Sequence, residues 1–219
     1  MELSSILPEL YSELREDYSP SWYKLSLPTG LLPSDYLKFA NKDIESNDEP
    51  RCLVNALSNA KRALHYQVEI LTDAFGIEHL PKQGKNINFP TRLRFFDKCG
   101  IVSPRILSKL NKVRNAVEHD YYIPTRDEVE DYIDVVELFL AATERFFYQF
   151  PSDVEFLCDK IHESAPEISF VEFFPDKGII QFRGRYEVIG DKGHWQLFDI
   201  SMKDDNFFPW LRYIISNCK

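Results

Sequence analysis

Apolar positions recur along this chain first at helical spacing and later in alternation, and the change of period falls near Pro151. At the start, Ile6, Leu10 and Leu14 share one face of a short amphipathic helix. Pro20, Pro28, Gly30 and Pro33 then mark an irregular connection. From Asn47 to Pro50 a capping residue is followed by a proline suited to a first helical turn. Leu53, Leu57, Ala60, Leu64, Val68, Leu71 and Phe75 continue at helical spacing until Gly76. A loop over 79–90 leads to a shorter helix at about 91–98 that stops near Gly100. Ser103 and Pro104 open the next helix, with Ile106, Leu110, Val113 and Val117 on its buried stripe. Pro124 disfavours helical geometry in the residue before it, so that helix ends by about Tyr122. Thr125 and Glu128 form a capping box for a long helix reaching about Phe150, striped by Val129, Ile133, Val136, Leu140, Thr143 and Phe147.

Beyond Pro151 a short helix over about 154–162 precedes three strand-like runs at 168–174, 179–188 and 195–202. Turn residues at 175–178 and 190–193 separate them. In the middle run Ile180 and Phe182 alternate with Gln181, Arg183 and Arg185, the pattern of a half-solvated strand. Phe207, Leu211 and Ile214 then pace a closing helix. The expected architecture is mainly α: an up-and-down helical bundle with a small C-terminal antiparallel β-meander plus helix. Its expected parts are an N-terminal helix and Pro-rich extension over 1–47, the bundle over 48–150, and an α+β appendage over 151–219.

With 44% hydrophobic and 14% aromatic residues the chain can bury a core, which separates it from disordered sequences. No apolar run approaches the roughly 18–20 residues of a membrane span, and Met1 to Pro8 carry no secretory signal pattern. Cys52, Cys99, Cys158 and Cys218 are scattered, with no Cys-x-x-Cys pair. Free thiols, no metal site, no cofactor, no membrane partner and a cytoplasmic location are the expectations.

The formal net charge of −9 disfavours a protein that binds nucleic acid over a whole face. Its distribution changes the picture. Between Lys82 and Arg114 nine basic residues stand against the single acid Asp97, a local net charge of +8. Such an island in an acidic chain suits a local anion site. At its end lie Arg114, His119 and Tyr121, spaced as Arg-x4-His-x-Tyr. Residues five apart in a continuous helix diverge by about 140°, so a helix ending near Glu118 lets the His119 imidazole swing back toward the Arg114 guanidinium.

Over about residues 50–150 the chain resembles the HEPN superfamily of helical nucleotide-binding and ribonuclease proteins. Asn115 after Arg114 fits that family's polar preference there, and Tyr121 makes the segment similar to the motif of HepT-type toxins. The resemblance implies a homodimer with two motifs at a shared groove, metal-independent RNA cleavage, and a role in toxin–antitoxin or anti-phage defence. It also implies a cognate antitoxin such as a nucleotidyltransferase, with Tyr121 as the position that partner adenylylates.

In the chemistry so implied, a ribose 2′-OH attacks the adjacent phosphate to leave a 2′,3′-cyclic phosphate and a 5′-OH. His119 moves a proton to or from the attacking or leaving oxygen. Arg114 stabilises the phosphorane through paired N–H donors, and Asn115 either donates a further hydrogen bond or orients Arg114. Glu118 either raises the imidazole pKa or pairs with Arg114. Arg105, Lys109 and Lys112 are the candidate RNA-binding cations.

Two other readings compete. A non-catalytic HEPN-like module would use its groove for a nucleotide, an RNA or a protein partner. A regulator would sense a ligand through its C-terminal meander. Arg183 and Arg185 are expected on an exposed strand face, where they could touch RNA backbone. Asp127, Glu130, Asp131 and Asp134 are expected on the solvated face of their helix.

Overall fold

Distant stretches of sequence combine into two compact units in the computed structural model, which describes residues 7–8, 18–46, 48–81, 87–101, 123–156, 167–185 and 194–218. One unit comprises Ser26–Asp73 and Asn88–Arg145, the other Met1–Leu25, Ala74–Ile87 and Phe146–Lys219.

The described part of the first unit is helical. It holds α1 (Pro33–Ile44), most of α2 (Arg51–Ala74), α3 (Phe89–Cys99) and most of α4 (Arg126–Tyr148). Local chemistry sets their ends. Asn88 caps α3 by accepting from the Thr91 N–H at 3.0 Å. Gly100, at φ 72°, stops it, and the Ile101 N–H returns to the Phe96 carbonyl. The capping box of α4 is present: the Thr125 N–H donates to Glu128 Oε2 at 2.9 Å, and the Glu128 N–H to the Thr125 hydroxyl at 3.3 Å. The stripes of α2 and α4 are buried as their spacing predicts, from Leu53 to Leu71 and from Val129 to Phe147.

Two contacts give the direction of the long helices. At the head of α4 the Arg126 guanidinium binds Glu49 Oε1 at 2.7 Å and the Ile44 carbonyl at 2.6 Å, beside the start of α2. Near their other ends Gln67 donates to Thr143. Hence α2 and α4 run parallel.

A five-stranded antiparallel sheet in the order β1-β2-β3-β4-β5 forms the second unit with α5 (Phe207–Asn217). Its strands are β1 (Tyr18–Tyr23), β2 (Phe150–Phe156), β3 (Glu167–Phe174), β4 (Ile179–Arg185) and β5 (Gln196–Ser201). Val154, Val171, Phe173, Ile180, Phe182 and Ile200 are buried on one face, and α5 lies against that side, with Trp210 4.9 Å from Phe182 and Phe207 6.3 Å from Phe173 between ring centroids. Phe75, just past α2, packs on Phe146, Phe150 and Phe173 in the same core. A bulge between Ile168 and Phe170 shifts the alternation by one, so that Ile168 and Val171 are both buried while Phe170 joins the opposite face.

This overturns the mainly α expectation of a bundle with a small meander. The sheet takes two strands that periodicity did not show. β1 comes from the Pro-rich connection, and its place at the edge of the sheet is where a strand tolerates a proline such as Pro20. β2 begins two residues after α4 and replaces the start of the helix expected over 154–162; β1 and β3 satisfy it on both sides. Residues 157–162, and all but two residues of the expected N-terminal helix, lie outside the described residues. Helix α1 also arises where a connection was expected; Pro33 opens it, and Asp35 accepts from the Leu32 N–H at 3.0 Å.

Candidate functional site

Arg105, Lys109, Lys112, Arg114, Asn115, Glu118, His119 and Tyr121 all fall within 102–122, outside the described residues. What is described is the frame on either side: the glycine stop of α3 before the segment, and the capped, Arg126-clamped start of α4 after it.

Of the nine cations between Lys82 and Arg114, Arg92, Arg94 and Lys98 are described. Arg92 has only 13% of its side chain exposed. Its guanidinium bonds the Thr72 hydroxyl and the Asp73 carboxylate and lies 3.5 Å from Glu69, tying α3 to the end of α2. That cation is consumed by the fold. Asp127, Glu130, Asp131 and Asp134 are exposed along α4, as expected of a solvated face. Among the described residues no cluster of His, Cys, Asp and Glu could hold a metal ion, and no helix is long and apolar enough to cross a membrane.

The described structure offers a different site: a groove of about 730 Å³ on the face of the sheet opposite α5. Strand register lays this face out in two rows, of which the first, with Glu172 and Gln181 of the second, lines the groove. One runs Glu155, Phe170, Arg183, Leu197 from β2 to β5, and the other Asp153, Glu172, Gln181, Asp199. Trp195, just before β5, stands over the end of the first row. Its ring centre lies 5.6 Å from the Arg183 guanidinium and 4.8 Å from that of Arg185. Arg185 is also paired with the buried Glu167 carboxylate. Gln181 donates to Asp199 at 2.8 Å. Burial, and then the neighbouring Asp153 carboxylate, hold the Glu172 carboxyl above the ordinary glutamate range, with Lys177 opposing.

No protein-family model, curated protein or solved structure matches the chain. The groove must therefore be read from its own chemistry. Neither histidine nor cysteine lines it, and its one serine, Ser169, donates to the Arg183 carbonyl at 3.3 Å. It lacks the paired base and nucleophile of covalent catalysis and has the makings of a binding surface: exposed apolar groups beside fixed charges. Arg183 is exposed on this face as the alternation predicted. The sequence reading passed over Phe170, Glu172, Trp195 and Leu197. The available signal was that Leu197 shares the polar phase of its strand, and it is 65% exposed.

Proposed function

We propose that the chain is a metal-independent endoribonuclease of HEPN type, with Arg114 and His119 as catalytic residues and Asn115 as their polar neighbour. The observation that carries this reading is the Arg-x4-His-x-Tyr spacing at the end of a +8 stretch. Support comes from its setting: the segment belongs to the unit whose described residues are helical, and the capping box at Thr125 starts a new helix four residues after Tyr121. A helix end near Glu118 is what would let imidazole and guanidinium converge on one phosphate. Lys109, Lys112 and Arg105 then gather RNA backbone, Glu118 tunes His119 or positions Arg114, and Tyr121 is the site of control by an adenylylating antitoxin. The working form is a cytoplasmic homodimer acting in toxin–antitoxin or anti-phage defence.

The test is incubation of purified protein with structured and unstructured RNA in EDTA, scored for 2′,3′-cyclic phosphate ends. Cleavage is expected, and Arg114→Ala and His119→Ala are each expected to abolish it while leaving the melting transition in place. Undiminished cleavage by both variants refutes the assignment. A second reading, a non-catalytic module that binds a nucleotide, RNA or protein, is favoured by the net charge of −9 and by a groove lined with exposed apolar groups beside fixed charges. Binding of RNA with no cleavage under these conditions selects it.

A further inference from the structure

The groove on the sheet combines two features that a purely structural surface avoids. The first is electrostatic. Asp153 and Glu172 are register partners on adjacent strands, and Glu155 follows Asp153 on the same face. Like charges directly opposite one another destabilise a sheet, and Lys177 only partly offsets this at Glu172, whose carboxyl stays above the ordinary glutamate range. The second is apolar. Phe170, Trp195 and Leu197 line the same groove, with Leu197 left 65% exposed. Phe170 lies among the acids of β2 and β3, and the exposed Leu197 lies at the other side, on β5.

We propose that this groove binds an extended basic segment of a partner protein, with a lysine or arginine side chain between Glu155 and Glu172 and an apolar side chain against Trp195 and Leu197. The dimensions suit that ligand. From β2 to β5 is three strand spacings, about 14 Å. In an extended peptide, residues four apart lie on the same side about 13 Å from one another. A volume of about 730 Å³ holds several side chains and lies within the range of about 300–1,000 Å³ usual for ligand pockets. Arg183, held under Trp195 between the two ends, is placed to donate to the carbonyls of the crossing backbone. The segment's positive charge complements the carboxylates and gives the selectivity, because a nucleic-acid strand stacking on the same aromatics would bring phosphates to them. The proposal is independent of ribonuclease activity, which it neither needs nor implies.

The full-length protein is titrated, with two-dimensional NMR as the readout, with a nine-residue glycine–serine peptide carrying lysine at its third position and phenylalanine at its seventh. Saturable shifts at Glu172, Arg183 and Leu197 are expected. Affinity should fall roughly tenfold or more when the peptide lysine is replaced by glutamate, and similarly for Glu172→Gln with the original peptide. The peptide exchange leaves the protein unaltered, so it separates recognition from any effect of the variant on folding. Spermidine or a six-nucleotide single-stranded RNA that binds these residues as tightly as the lysine peptide overturns the proposal. So does equal affinity for the glutamate peptide, or the absence of shifts on the sheet.

Discussion

Gln67 donates a hydrogen bond of 3.1 Å to the Thr143 hydroxyl in the interior of the helical unit, joining α2 to α4 where both side chains are closed off from water. Thr143 passes its own proton to the Phe139 carbonyl at 2.7 Å, so the pair forms a short polar relay in an apolar setting. Replacing Thr143 by valine keeps the shape and removes the acceptor. Thr143→Val is expected to lose about 1–3 kcal/mol in urea denaturation, the cost of stranding a buried donor. The double variant Gln67→Met/Thr143→Val should lose less than the two single losses added together. Additive losses would show that the bond contributes no coupling.

Arg92 is a structural cation within the basic stretch, whereas Lys109 and Lys112 are proposed to bind RNA. Its guanidinium is engaged by Thr72 and Asp73 and little exposed. Arg92→Ala is expected to lower stability by about 1–3 kcal/mol with no change in RNA affinity per folded molecule. Lys109→Ala and Lys112→Ala are expected to do the reverse, each weakening RNA binding and reducing its salt dependence by about one counterion. Stability is measured by denaturation, and affinity by fluorescence anisotropy at several salt concentrations.

Two glycines hold the turn between β3 and β4 against the segment that follows α2. Gly178, at φ +62°, faces the His79 side chain, and Gly76, at φ +76°, faces the Pro175 carbonyl, each closely enough that an added methyl group collides. His79 Nε2 also lies 3.0 Å from the Asp176 carbonyl, which keeps the ring where it is. Gly178→Ala and Gly76→Ala combine backbone strain with overlap and are each expected to cost roughly 1–3 kcal/mol or more. Gly30→Ala supplies the control: its φ of +113° is strained, but a methyl group there meets nothing within 4 Å. Thermal melts rank the three variants, and equal losses for all would mean that overlap adds nothing to strain.

Glu172 connects stability to pH. Its folded-state pKa is raised, first by burial and then by Asp153, so the unfolded chain ionises at lower pH than the folded one. Stability is therefore lost as pH rises from the ordinary glutamate value through the raised folded value. Glu172→Gln is expected to be more stable than the parent at neutral pH and no more stable well below the ordinary glutamate range. Denaturation midpoints measured across acid to neutral pH test this; a variant less stable at neutral pH would show that the carboxylate has a favourable partner. A gain in stability with a loss of peptide binding is the signature of a residue held for function.

Where a segment's chemistry is local, its structure was legible in the sequence. The stripes of α2 and α4, the Thr125–Glu128 box, the glycine stops at Gly76 and Gly100, strands β3 to β5 and helix α5 all follow from contacts made within a few residues or from side-chain period. The Arg114–Tyr121 motif is likewise a statement of sequence, and its chemistry rests there. The groove was half legible: alternation places Arg183 and Leu197 on the solvated face, but a strand does not announce its neighbours.

What the sequence by itself determined, then, is the set of elements with a strong internal period and their capped ends, because hydrogen bonds and apolar faces repeat along one segment. Only the tertiary structure decided that β1 and β2 exist and that α2 and α4 run parallel. It alone set Asp153 beside Glu172, and Phe170 between Glu155 and Arg183. Tyr18 pairs with Phe156 across most of the chain. Neither strand carries a sufficient signal of its own; each is stabilised by backbone hydrogen bonds to partners that become adjacent only when the whole sheet assembles.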